Sequence, residues 1–282
     1  MRKRMFDVFL TTFLFFTIFS LFGLLVSVRP PRIYSPFQPA HFGLPFEDIT
    51  LKTSDGLDLK GWFIPQANSD KAIVALHGYP ADKGDILPAL LFLHSDFNLL
   101  FFDFRYFGES QGLYTTAGAK EVRDLLAALQ FLKGRGFQRI GVWGFSLGGA
   151  VALMTAGESG DIKAIVSESS YAELSLMARE TYRYLFFLKH PLASLTGLWA
   201  KLFLGVDIHE ASPAKKIKNS QLPVLLIHST TDQVIPFSHA LLLKEALRNN
   251  PQAEFWFKPG LTHGELGGEH ETRIKAFFQK HL

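Results

Sequence analysis

The chain begins with an apolar block. Residues 8–28 contain no charged side chain, only Thr, Ser and Gly among Phe, Leu, Ile and Val. At a helical rise of about 1.5 Å per residue this run spans about 31 Å, the thickness of a bilayer core. A cleaved signal peptide has a shorter apolar region, about 7 to 15 residues, and a small-x-small cleavage site. Here the run ends in Ser27, Val28, Arg29, Pro30 and Pro31, which offer no such site. The pattern predicts an uncleaved transmembrane helix over 8–28. Arg2, Lys3 and Arg4 precede it, against Arg29 and Arg32 after it, so residues 1–7 are expected in the cytoplasm and the body on the non-cytoplasmic side.

Residues 29–48 carry Pro30, Pro31, Pro36, Pro39 and Pro45 with few periodic apolar positions, the pattern of an extended linker. The rhythm then changes. Residues 49–53 and 57–64 read as strands about a Ser-Asp-Gly turn at 54–56, a hairpin. Short continuous apolar runs follow at 72–76, 98–102, 140–143, 162–166, 224–227 and 255–257. Runs apolar on both faces suit strands covered on both sides, as in a parallel sheet. Between them Val122, Leu125, Leu126, Leu129 and Leu132 fall at helical spacing, with Gly134 and Gly136 as stop signals. The alternation predicts an α/β domain over 49–282, a mostly parallel sheet with helices on both faces and an antiparallel start.

Residues 170–212 break that alternation. The segment is rich in Tyr, Phe, Leu and Trp and reads as helices interrupted at Pro191. It predicts either ordinary helix packing on the sheet or a hydrophobic cap over a pocket, since long insertions in compact domains often form lids. On the second reading Tyr182, Phe186 and Trp199 are candidate substrate-binding residues.

Composition narrows the function classes. With 48% hydrophobic and 20% charged residues the chain can bury a core. The absence of Cys excludes a disulfide framework, Cys-ligated zinc, an iron–sulfur centre and a thiol nucleophile. The formal charge of +3 comes from the basic residues flanking the apolar run, and the body is near neutral without a basic stripe, so nucleic-acid binding is not expected. No phosphate-loop or dinucleotide fingerprint occurs, and His263-Gly264-Glu265 and Glu269-His270 lack the His pairing of a zinc-hydrolase helix, so no metal or cofactor is expected.

The chemistry concentrates in Gly144-Phe145-Ser146-Leu147-Gly148-Gly149, between the strand at 140–143 and a helix-like segment at 150–156. A G-x-S-x-G between strand and helix describes a sharp turn that lifts one hydroxyl out of the backbone. Ser146 is the candidate nucleophile; the plainer reading is a helix N-cap. A serine hydroxyl needs a base, and that base an orienting carboxylate. Of ten histidines, His263 stands in a loop after the last strand. Asp232 lies in the loop after the strand at 224–227, which yields the order Ser, Asp, His; Glu168, after the strand at 162–166, is the rival acid.

With these residues the chain resembles the α/β-hydrolases, and within them the membrane-anchored serine hydrolases similar to the monoacylglycerol-lipase and serine-aminopeptidase-like branch. The matching pieces are Leu76-His77-Gly78-Tyr79, Phe102-Asp103-Phe104-Arg105, Phe107-Gly108-Glu109-Ser110, Gly144 to Gly149, Pro223 to Ile227 with Asp232 to Pro236, and His263. A departure is Tyr106, where many members have Gly. The resemblance implies an oxyanion hole made by the backbone N–H groups of Leu147 and Tyr79, in keeping with the two preorganised donors that a tetrahedral oxyanion requires. His77 and Gly78 are then expected to shape that turn, and Asp103, Arg105 and Ser110 to brace neighbouring loops.

The expected activity is cleavage of a carboxylic ester or thioester with an apolar acyl chain through an acyl-serine intermediate. Acyl transfer or peptide cleavage by the same residues stays open, as does a catalytically silent binding protein on a hydrolase fold. The expected partners are a small acyl substrate and the lipid bilayer.

Overall fold

The computed structural model describes residues 1–265 and 267–282. Among the described residues eight strands form one sheet: β1 (Glu47–Lys52), β2 (Asp58–Ile64), β3 (Lys71–Leu76), β4 (Asn98–Phe102), β5 (Arg139–Phe145), β6 (Ile162–Glu168), β7 (Val224–Ser229) and β8 (Ala253–Lys258). Their spatial order is β1-β2-β4-β3-β5-β6-β7-β8. β2 runs antiparallel to both β1 and β4, and the pairings from β4 through β8 are parallel. The hairpin and the parallel sheet expected from the apolar runs are both present.

The continuous apolar runs are explained by burial on two faces. Along β3, Ala72, Val74 and Leu76 pack into one layer with α3 (Val122–Gly134) and α4 (Leu147–Ala156). Ile73 and Ala75 pack into the other with α2 (Lys83–Leu90) and the C-terminal helix at 270–281. Every residue of α4 from Leu147 to Thr155 is buried, as suits a helix apolar all round.

The insertion after β6 forms the cap: α5 (Leu174–Glu180), a turn at Arg183–Leu188, α6 (Lys189–Trp199) and one π turn at Ala200–Leu204. The sequence predicts an interruption of its helices at Pro191. Instead the break falls at Phe186, φ 47°, and Pro191 sits in the first turn of α6, where its missing N–H leaves no helical bond unmade. The chain then continues through α7 (Pro213–Ile217) and, after β7, α8 (Phe237–Ala246), and closes with α9 (His270–His281).

At the other end, α1 (Arg2–Val28) is, among the described residues, the one helix long and apolar enough to cross a membrane. It is compatible with a single-pass anchor or a signal sequence. Its last turns are not free: Ser20, Leu24 and Val28, spaced four apart on one face, are buried, and Trp199 Nε1 donates to Ser20 Oγ at 3.1 Å.

Residues 29–48, read as a linker, run along the body and are bound to it. Arg32 donates to the carbonyls of Gly108, Ser110 and Gly112 at 3.1 to 3.3 Å, and Ser35 N–H to Asp82 at 2.8 Å. Tyr106, the residue that stands where many α/β-hydrolases have Gly, adopts φ 73°, which accounts for the usual glycine. Its side chain offsets that strain here, because its hydroxyl donates to Pro30 O at 2.7 Å and its ring lies under Arg32.

Candidate active site

The turn from β5 to α4 carries Ser146 at φ 52° and ψ −111°, a backbone state that side chains other than Gly rarely adopt. Two glycines make the turn possible. A Cβ on Gly144 would stand 2.4 Å from the Gly148 carbonyl, and one on Gly148 would stand 2.4 Å from Leu76 O. The turn is anchored by Ser146 N–H, which donates to Glu168 O at 2.8 Å. Leu147 N–H is the first of the helix N–H groups that have no intrahelical partner.

His263, in the loop after β8, brings Nε2 to 3.1 Å from Ser146 Oγ. Its ring packs on Phe145, centroids 4.8 Å apart. Its Nδ1 lies 2.7 Å from Asp232 Oδ2. The other carboxylate oxygen of Asp232 accepts from the N–H groups of Val234 and Ile235, each at 2.8 Å. Burial pushes the Asp232 carboxyl up, but the hydrogen bonds from His263, Ile235 and Val234 outweigh it and hold the group below its ordinary value. An ionised Asp232 fixes the imidazole with its proton on Nδ1 and its Nε2 lone pair toward Ser146. Such an arrangement can take a proton from the hydroxyl and return it to a leaving group.

The rival acid is placed elsewhere: Glu168 Oε2 lies 2.7 Å from Nε2 of His270. His270, at the start of α9, gave no sequence signal. His228 is buried 3.9 Å from Asp232 Oδ2. Burial pushes its pKa down, and its Nε2 donates to Ile235 O at 2.9 Å, bracing the turn that holds Asp232.

His77 is fully buried and shapes the loop that carries Tyr79. Its Nδ1 donates to Gly78 O at 2.7 Å and its Nε2 accepts from Phe104 N–H at 3.0 Å. Asp103 accepts from Lys83 and from Glu109 N–H, Arg105 pairs with Asp124 and Asp55, and Ser110 donates to Asp103 O. All four residues brace loops.

Ser146, Leu147 and Tyr79 border a cavity of about 240 Å³ under the cap. Its walls are Leu174, Met177 and Tyr182 from the cap, Ile235 from the Asp232 loop, and Leu24 and Val28 from α1. Of the three cap aromatics singled out in the sequence, Tyr182 lines the cavity. Phe186 does not: the break in the cap turns it outward, 80% exposed. Trp199 turns to α1, where it meets Ser20 and stacks on Phe203.

The sequence profile of the prolyl oligopeptidase family matches residues 109–282, which carry Ser146, Asp232 and His263. Protein YqkD of Bacillus subtilis (strain 168) is 31% identical over 209 residues, 71% of this chain and 68% of YqkD. The alpha/beta hydrolase domain-containing protein WAV2 of Arabidopsis thaliana is 28% identical over 250 residues, 83% of this chain and 78% of WAV2. The solved structure of the Pyrococcus furiosus esterase Pf2001 superposes with a TM-score of 0.73 at 28% identity, covering 90% of this chain and 98% of the esterase. Sheet order, the sharp strand-to-helix turn at Ser146 and the profile agree, and the chain belongs to the prolyl oligopeptidase family of α/β hydrolases.

Proposed function

We propose that the chain is a membrane-anchored serine hydrolase that cleaves carboxylic esters or thioesters of an apolar acyl chain. The observation that carries this reading is the Ser146–His263–Asp232 hydrogen-bonded series opening into an apolar cavity. His263 Nε2 takes the proton of Ser146 as Oγ attacks the acyl carbonyl. The oxyanion forms beside the N–H groups of Leu147 and Tyr79. On its collapse His263 passes the proton to the departing alcohol or thiol. Water, deprotonated by the same imidazole, then attacks the acyl-serine and releases the acid.

The cavity favours an acyl chain over a peptide. Among the described residues that line it none is charged, so a peptide ammonium or carboxylate entering it would be desolvated without a partner. The Pyrococcus furiosus relative is an esterase by name, which agrees with that preference. On this reading α1 serves as the anchor, and the excess of Arg2, Lys3 and Arg4 ahead of it over Arg29 and Arg32 after it favours a hydrolase domain on the non-cytoplasmic side.

The test is kcat/KM across p-nitrophenyl esters from acetate to medium chain length. Each buried methylene is worth about 0.8 kcal/mol, so kcat/KM rises about fourfold per methylene until the cavity is full. A steady decline from acetate onward contradicts an apolar acyl site.

A further inference from the structure

A helix that serves only as a tether can face lipid all round. The last turns of α1 do not. Ser20, Gly23 and Ser27 form a small-residue face, and a Cβ on Gly23 would lie 2.5 Å from the Tyr182 hydroxyl, so glycine is what lets the helix close on this cavity-lining side chain. Two further contacts fix the helix at the mouth of the site. Tyr79 Oη donates to Ser27 O at 3.0 Å, and Thr115 N–H donates to Val28 O at 3.0 Å. Leu24, Ser27 and Val28 line the cavity that Ser146 borders. On the opposite face of the same turns, Phe22, Leu25 and Val26 are exposed.

The cavity is small. Its volume of about 240 Å³ falls below the roughly 300 to 1,000 Å³ of usual ligand sites, which suits one acyl chain and not two. A chain esterified to Ser146 and filling this space packs against Leu24 and Val28. Removing α1 would open that side of the cavity.

We infer that the membrane helix is itself a wall of the acyl site: Leu24, Ser27 and Val28 set the acyl-chain length, and the substrate is a single-chain acyl ester whose tail lies against α1 where the helix leaves the bilayer. This rests on the reading of the chain as an acyl-ester hydrolase. Anchor and specificity determinant are then one element, and the cap aromatics Phe186 and Trp199 set no chain length.

The test uses the full chain in phosphatidylcholine vesicles, with p-nitrophenyl esters and, in parallel, alkyl fluorophosphonates of increasing chain length. Leu24→Trp lowers the ratio of long-chain to acetyl kcat/KM by about fourfold for each methylene displaced. Leu24→Ala shifts the maximum to longer chains, and it tests the wall even if the tryptophan variant fails to fold. Val26→Trp, on the exposed face, leaves the profile as in the parent. Profiles that coincide for all of them, or that change by one common factor at every length, overturn the inference. Labelling needs no ester turnover: labelling whose chain-length dependence follows Leu24, with no ester cleaved, overturns the hydrolase reading and keeps the wall. Ester cleavage with α1-independent profiles overturns the wall alone.

Discussion

The carboxylate of Glu168 and the imidazole of His270 form a buried pair, Oε2 2.7 Å from Nε2, while His263 turns its Nδ1 to Asp232. The two acids that compete in the sequence are therefore separated by their histidines. Asp232→Asn is expected to lower kcat by about 10⁴, because the imidazole is then held in the wrong tautomer. Glu168→Gln leaves the Ser146–His263–Asp232 hydrogen bonds in place and lowers stability by about 1 to 3 kcal/mol through its weakened bond to His270. Steady-state kinetics and thermal unfolding of the two variants check the assignment; a silent Asp232→Asn beside an inactive Glu168→Gln would move the acid to Glu168.

Ser146 pays for its position in backbone strain, with φ at 52°. Ser146→Ala and Ser146→Gly both lose the hydroxyl, but only glycine relieves the strain. The glycine variant is expected to be more stable than the alanine variant by about 1 kcal/mol. Equal melting temperatures would mean that the turn is unstrained.

His239 links the Asp232 side of the site to the root of the cap: its Nδ1 accepts from Ala172 N–H at 3.0 Å, and only 2% of the residue is exposed. Burial, with a smaller push from His228 and against the pull of Asp232, takes its pKa down from 6.5 to about 4. A histidine depressed in the folded state contributes stability that is whole above pH 6.5 and is lost as pH falls toward about 4. The full loss is about 3 kcal/mol. Unfolding measured at intervals from pH 7 to pH 4 should show that decline in the parent and a shallower one in His239→Gln. Identical slopes would mean that His239 does not carry the acid sensitivity.

Alkaline carbonate should leave the full chain in the membrane fraction, because a helix of this length and apolarity inserts rather than adsorbs. In sealed vesicles the hydrolase domain should resist protease added from the cytoplasmic side. Digestion from that side would reverse the proposed orientation.

The parts of this molecule that the sequence makes legible are those whose physics is local. The run at 98–102 coincides with β4 because all five residues are buried. The run at 162–166 stops short of β6, because Ser167 and Glu168 are polar yet still pair with Gly144 and Phe145. Ser146, Asp232 and His263 can be found because each occupies a loop after a recognisable strand. His270 cannot, since its partner Glu168 is 102 residues away and nothing near it marks a pairing. The docking of residues 29–48 is equally silent: Arg32 meets backbone carbonyls of Gly108, Ser110 and Gly112, acceptors that every residue carries. Among the cap aromatics, letters alone cannot separate Tyr182 in the cavity from Phe186 in the open. In α1 the spacing of Ser20, Gly23 and Ser27 is the one trace of a packed face within a run that otherwise reads as lipid-facing throughout.

Labelling with a fluorophosphonate followed by peptide mass spectrometry asks whether Ser146 forms the covalent acyl intermediate. One adduct is expected, on Ser146, with labelling and ester turnover both abolished in a folded Ser146→Ala variant. An adduct on another residue, or undiminished ester turnover in that variant, would contradict it.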